Sequence, residues 1–253
     1  MIHVGISVFQ QPLEWIQQCL LSCLSQAGAS FRLTVRLDGP DAASRETRAW
    51  LQQMGECNAN LLVVEGAEQL GTFGSYQQIF CDSDATYLCQ LDADDLLPPG
   101  ALRLAQQELE LNPHAGFVYT DCLDIDADGV PIGLGERQSL SYSPVNILLQ
   151  FMTYHLRLLR GDVYRAAGGY DARLKFTGDY DLCLRMCELA DPVYLSRPLY
   201  FYRVHGGSAS QKYLSALNAE AYEVASAALV RRGWGDIYRI EVSETGEFSL
   251  LAL

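Results

Sequence analysis

The chain has 253 residues, 49% hydrophobic and 19% charged, which is ordinary globular composition with enough apolar matter for a core that needs no covalent staples. A formal net charge of −13 and a pI near 4.6 argue against a nucleic-acid groove, which would show clustered Lys and Arg, and against electrostatic docking on an anionic membrane. No apolar run approaches the roughly 20 residues of a membrane helix, and Met1-Ile2-His3-Val4-Gly5 runs straight into a strand-like segment without a signal peptide. A cytoplasmic protein is expected, with peripheral contact to the inner face of a membrane left open.

In chain order, Ile2 to Phe9 reads as a buried strand, and Pro12 to Ala27 as a helix with Leu13, Ile16, Leu20 and Leu24 on one face. Phe31 to Leu37 is a strand stopped by Asp38-Gly39-Pro40. A polar helix follows from about Ala42 to Met54, then a strand over Asn60–Glu65, a helix over Phe73–Cys81, and a strand from Tyr87 to Asp92. Repeated β-α-β units imply an α/β fold with a mainly parallel sheet, whose ligands bind at the carboxyl ends of strands. Phe9, Asp38 and Asp92 all lie at such ends.

Beyond Asp92, a helix is predicted over Leu102–Leu111 and a strand over Phe117–Leu123, and Asp124 to Gly129 turns the chain back on Val130-Pro131-Ile132. This Asp-x-Asp-x-Asp-Gly spacing resembles a calcium loop. Its twelfth position is Gly135, where a bidentate Glu is required, and no helix precedes it, so a hairpin turn is the stronger expectation. Ser139 to Phe151 reads as a loop and short helix, and His155 to Arg160 as a strand near the site. A helix over Asp179–Ala190, a strand over Tyr194–Arg203 and a helix from past Ser210 to about Arg232 follow. A hairpin closes the chain, with arms Ile237–Val242 and Phe248–Leu251 about Thr245-Gly246. Residues 1–210 are expected to form the main domain, and 211–253 a helix-plus-hairpin extension packed on it.

Eight cysteines fall at 19, 23, 57, 81, 89, 122, 183 and 187, with no Cys-x-x-Cys. Cys19/Cys23 and Cys183/Cys187 share helix faces, where they read as small core residues rather than zinc ligands, since no His stands beside them at ligand spacing. Reduced thiols are expected.

The chemistry concentrates in Asp92-Ala93-Asp94-Asp95. Three carboxylates in four residues at a strand end repel one another and call for a cation; Mg²⁺ and Mn²⁺ prefer oxygen ligands and are commonly shared with substrate phosphates. The competing reading is an acidic turn in which Asp95 caps the following helix. Two further motifs support the first. In Gly178-Asp179-Tyr180-Asp181, Asp179 sits at a helix start, as a plain cap or as a functional carboxylate. In Tyr202-Arg203-Val204-His205-Gly206-Gly207, a His follows a strand and can offer nitrogen to a metal held by Asp94.

Ile6-Ser7-Val8-Phe9, Leu37-Asp38-Gly39, Gln69-Leu70-Gly71, Leu91 to Asp95, Gly168-Gly169-Tyr170-Asp171, Asp179 to Leu182 and Tyr202 to His205 occur in an order that resembles a family 2 glycosyltransferase of the GT-A fold, over residues 2–210. That resemblance implies an inverting transferase that moves a sugar from a nucleotide-diphosphate sugar, usually a UDP-sugar, to a glycan or other hydroxyl acceptor. Carried over position by position, Ser7, Phe9 and Asp38 would contact the uridine and Asp92 the ribose or base. Asp94 and His205 would hold Mn²⁺ or Mg²⁺, and Asp179 would be the general base; Asp181 reads as structural. The pattern also departs from the family. Leu37 stands where relatives carry a second Asp, Gln69 replaces the usual Asn, no Arg follows in the helix from Phe73, and Gly178 stands where an acid commonly precedes the base. These departures feed an alternative, a non-catalytic sugar-nucleotide or glycan-binding module on the same fold. A nucleotidyltransferase shares the crevice but would need a Gly-rich, Lys/Arg-bearing phosphate loop that the N-terminus lacks. Residues 211–253 lie outside the resemblance, with an acceptor cover or an oligomer contact as their two open roles.

Overall fold

The computed structural model describes residues 1–134, 142–206, 213–243 and 246–253. Gly135, the first residues of the predicted 139–151 segment, the stretch from Gly207 to Ser210 and Thr245 lie outside them.

Four parallel strands, β1 (Ile2–Val8), β2 (Phe31–Leu37), β3 (Leu61–Glu65) and β4 (Tyr87–Asp92), stand in the order β3-β2-β1-β4. Each is followed by a helix: α1 (Leu13–Leu24), α2 (Arg45–Cys57), α3 (Gly71–Phe80) and α4 (Ala101–Leu111). Every residue of β1 is buried, as a central strand covered on both faces requires. The register sets Ser7 beside Arg36 of β2 and Asp92 of β4, so the carboxyl ends of the three strands lie level.

The sheet then stops being parallel. β7 (Arg157–Arg160) enters next to β4 and runs antiparallel to it, with β5 (Phe117–Ile125) antiparallel to β7 in turn. β6 (Pro131–Leu134) pairs with the far end of β5, and β8 (Val193–Arg203) runs parallel to β5 along its length. Because β7 runs backwards, its beginning rather than its end lies at the ligand edge. Residues 155–157 therefore arrive beside Asp92.

Core packing follows the two faces. One cluster joins α1, α2 and α4 to the sheet through Ile16, Leu20, Leu51, Leu102 and Leu109. The other joins α3, α5 (Asn146–Leu149), α6 (Gly161–Ala166) and α7 (Gly178–Cys187) through Tyr76, Phe80, Tyr164, Tyr180 and Leu184. The short α6 was not legible in the sequence, since six residues carry too little periodicity. The last helix, α8 (Leu214–Arg231), buries Val224, Ala225, Ala228 and Leu229 in this second cluster, with Ile240 of the terminal hairpin β9 (Tyr238–Val242) and β10 (Phe248–Ala252). Among the described residues no helix is long and apolar enough to cross a membrane.

Two sequence alternatives resolve here. Asp126 accepts backbone N–H groups from Asp128 and Val130, and its own carbonyl and that of Ala127 accept from Arg203, which makes the Asp-rich loop the expected hairpin turn. All eight cysteines are free; Cys19, Cys23, Cys89 and Cys183 are buried, and burial pushes their thiols up.

His3 faces α3, 5% exposed, between Ser83 Oγ and Thr34 Oγ1, each 2.9 Å from a ring nitrogen. Burial, with Arg32 alongside, lowers its pKa from 6.5 to about 4. The unfolded chain therefore binds a proton in a window where the folded chain does not. The contribution to stability is fully present above pH 6.5 and is lost as the pH falls from 6.5 to about 4, by at most roughly 3 kcal/mol. Urea unfolding of the parent and of His3→Gln across this window should show a parent-specific loss toward the acid side. Parallel curves for the two proteins would rule this out.

Candidate active site

The acidic run at the end of β4 is sorted by its neighbours into three different environments. Asp95 is 1% exposed, accepts the Arg203 backbone N–H at 2.8 Å and the Tyr200 hydroxyl at 2.8 Å, and so clips β4 to β8. The helix-cap alternative fails, because α4 begins only at Ala101, after Gly100 in left-handed conformation. Asp92 offers Oδ1 to Tyr76 Oη and Gln90 Nε2, both at 2.9 Å, while Oδ2 lies 3.5 Å from His155 Nε2. Gln90 is itself held by Tyr170 Oη at 2.6 Å, which gives Gly168-Gly169-Tyr170 its place in the pattern. Burial, then the charge of Asp94, pushes Asp92 up to about 6.

Asp94 meets the His predicted to share its ion. His205 Nε2 lies 3.0 Å from Asp94 Oδ2, and both side chains keep partial access to solvent. Behind His205 stands Trp15, its ring centroid 4.7 Å away, with its indole N–H fixed on the Ala127 carbonyl. Arg203, almost fully buried, lies over the same Trp15 ring and donates to the Asp94 carbonyl, Asp126, Ala127 and Gln18. The Asp94 carboxylate is the kind of oxygen donor that Mn²⁺ and Mg²⁺ take, and a neutral imidazole beside it can add a nitrogen. Among the described residues no group of three or more His, Cys, Asp or Glu could hold an ion, so a metal here needs oxygens from a ligand, as a diphosphate would provide.

Asp179 sits in the first turn of α7. Its Oδ1 accepts the Tyr180 N–H at 2.9 Å and its Oδ2 the Arg157 guanidinium at 2.9 Å. Arg157 is fully buried, donates also to the Thr153 carbonyl, and touches the His155 ring. A chain of contacts thus runs from Asp92 through His155 and Arg157 to Asp179. Asp181, by contrast, is turned to Arg185 at 2.6 Å, an i,i+4 ion pair within the helix.

The predicted base-side contacts are less uniform. Ser7 is buried beside Asp92, and Phe9 lies just past β1, partly exposed. Asp38 is 1% exposed and already takes hydrogen bonds from Arg36, Ser75 and the Leu70 and Gly71 N–H groups. Its carboxylate therefore shapes the turn into α3 from behind the cleft. Gly178 also gains a reason: a Cβ there would come within 2.5 Å of the Phe73 ring, so the space of the customary acid is filled by α3.

Sequence reasoning missed Arg157, Trp15, Tyr200 and Arg203 and gave His155 no role. The predicted strand from His155 begins in the structure only at Arg157, with His155 in the bend before it, and the value of both residues depended on knowing that this strand enters the sheet backwards.

The profile of the family described as "Glycosyl transferase family 2" matches residues 4–164. A hyaluronan synthase of Pasteurella multocida is 22% identical over 220 residues, 87% of this chain and 22% of the relative, so the chain spans about a fifth of that protein's length. Among solved structures, Staphylococcus aureus TarS 1–349 in complex with UDP-GlcNAc superposes with a TM-score of 0.71 at 16% identity, over 90% of this chain and 65% of that one. The mannosyltransferase PcManGT of Pyrobaculum calidifontis, in complex with GDP-Man and Mn²⁺, gives 0.61 at 15% identity, over 92% and 74%. The fold is accordingly GT-A, and a family match over more than half of its residues identifies the chain as a member of glycosyl transferase family 2.

Proposed function

We propose that this chain is an inverting glycosyltransferase that moves a sugar from a nucleotide-diphosphate donor, a UDP-sugar, to a hydroxyl of a glycan acceptor. The observation that carries the reading is the pairing of two juxtapositions in one crevice: Asp94 with His205, and Asp179 tied through Arg157 and His155 to Asp92. The first suits a donor diphosphate with its ion, and the second a base beside the donor.

Asp94 and His205 would hold Mn²⁺ or Mg²⁺, which when bound supplies Lewis-acid neutralisation of the leaving diphosphate. Asp92, fixed by Tyr76 and Gln90, keeps its other oxygen for the nucleoside side of the donor. Asp179 accepts the proton of the acceptor hydroxyl as that oxygen bonds to the anomeric carbon and the carbon–phosphate-oxygen bond breaks. The electron pair leaves on the diphosphate. Arg157 keeps the Asp179 carboxylate aimed. With one base and, among the described residues, no carboxylate placed as a nucleophile, a direct displacement that inverts the centre is the step the site supports. A binding module would use Asp94 and His205 for the ion but has no need of a base, so the occurrence of Asp179 together with Asp94 and His205 counts against that reading.

Calorimetry with UDP tests the ion. Mn²⁺ should tighten binding about tenfold or more relative to EDTA, or roughly 1.4 kcal/mol, and Asp94→Ala or His205→Ala should remove most of that gain. Equal affinity with and without Mn²⁺ in the parent would sink the metal assignment.

The base is tested by incubating the protein with Mn²⁺ and UDP-GlcNAc, UDP-glucose, UDP-glucuronate or GDP-mannose and following slow hydrolysis. Asp179→Asn should retain Mn²⁺–UDP affinity and lose on the order of 10²–10⁴-fold in rate. It leaves the buried Arg157 without its counter-charge, a loss of up to about 3–5 kcal/mol, so the melting temperature should fall as well and rates belong well below the transition. Parental turnover in this variant would remove Asp179 from the chemistry, and a parent that turns over none of the four donors would favour a binding module.

A further inference from the structure

The extension beyond residue 210 reaches back to the turn that carries the proposed base. Glu220, on α8, receives four hydrogen bonds from three consecutive residues: Lys175 N–H on Oε1 at 3.0 Å, and on Oε2 the Phe176 N–H at 2.7 Å, the Thr177 N–H at 2.8 Å and the Thr177 hydroxyl at 2.9 Å. Thr177 is the N-cap residue of α7 and makes no cap with its own side chain. Asp179 follows two residues later. The turn is also gripped from the side, where the Phe176 ring packs on Tyr213, the residue before α8, at 5.5 Å between centroids.

This arrangement is more than local surface bonding. The partners are 43 to 45 residues apart in sequence, and α8 is anchored by Val224, Ala225, Ala228 and Leu229 in the same core cluster that holds Tyr180 and Leu184 of α7. Burial by itself would raise the Glu220 carboxyl, yet the donors from residues 175–177 hold it below its ordinary range, so it meets them as an anion. Asp179 has one oxygen on its own helix and one on Arg157. Arg157 fixes the direction of the side chain, while the turn, with Phe73 packed on Gly178, fixes where the backbone of α7 starts.

We infer that Glu220 is a positioning residue for the base, so that the carboxyl-terminal helix is a working part of the active site. The inference rests on the reading of Asp179 as base. A carboxylate displaced by about 1 Å from the acceptor hydroxyl can lose two orders of magnitude in rate without any change in the donor site. The proposed donor side is carried by β4 and β8, whereas the hydrogen bonds of Glu220 go to residues 175–177.

The test uses the full chain with Mn²⁺ and the same four sugar nucleotides. Glu220→Ala should lower kcat for hydrolysis on the order of 10- to 100-fold, with KM and the Mn²⁺–UDP affinity within about twofold of the parent. Thr177→Val, which removes one of the four donors at constant size, should give a smaller loss of the same kind and guards against a Glu220 variant that folds poorly. A merely structural role is excluded by a double-mutant cycle: in an Asp179→Asn background, Glu220→Ala should change the residual rate little, because the group it positions is gone. Three results would overturn the inference: parental kcat in Glu220→Ala, a fall in kcat matched by an equal fall in UDP affinity, or the same fold loss in both backgrounds. Loss of turnover in Asp179→Asn with none in Glu220→Ala would refute the positioning role alone, whereas parental turnover in Asp179→Asn would refute the base and with it this inference.

Discussion

Three carboxylates within four residues at the end of one strand are an electrostatic problem, and much of the site is the solution to it. Like charges this close cannot all stay ionised in a poorly solvated edge. Asp95 is taken out of the competition by Tyr200 and by the backbone of β8, which turns repulsion into a clip between two strands. Asp92 is held by neutral donors and pushed toward the protonated side. Asp94 is left facing His205. One sequence motif thus yields a strand clip, an oriented acceptor and a half-built cation site, according to what each carboxylate meets.

The same edge is balanced by buried arginines. Arg36 holds Asp38, Arg157 holds Asp179 and Arg203 ties β8 to the Asp94 carbonyl and the Asp126–Ala127 turn. Each guanidinium is almost wholly inside. Removing one partner of such a pair strands an unpaired charge, so these contacts specify geometry strongly even where their net contribution to stability is small. At the ligand edge, Asp38 and Asp179 each meet a buried arginine, whereas Asp92 and Asp95 are held by neutral donors and Asp94 faces His205.

One departure from the family pattern, Gly178, has a local physical cause. Phe73 packs its ring against Gly178 and stacks with Tyr170 at 5.8 Å. An aromatic residue at the start of α3 leaves no room for a side chain before the base, so the lack of the customary acid at Gly178 has its reason in this contact.

The family resemblance implied that Asp94, Asp179 and His205 act together; the sequence by itself determined the alternation of strands and helices, the parallel half of the sheet, and the placing of Phe9, Asp38 and Asp92 at the carboxyl ends of strands. The reason is that hydrophobic periodicity and strand polarity are local properties that survive without knowledge of neighbours. It also showed the terminal helix and hairpin, though not their purpose. What only the tertiary structure decided are the contacts between segments far apart in the chain. Those include Arg157 on Asp179, Tyr200 on Asp95, Trp15 behind His205, Phe73 against Gly178 and Glu220 on the turn before α7. None of these pairs has a spacing that marks it, because each depends on which strand lies next to which and in what direction. The backward entry of β7 beside β4 is the clearest case: a parallel strand there would have carried His155 and Arg157 to the opposite edge, away from every carboxylate they now serve.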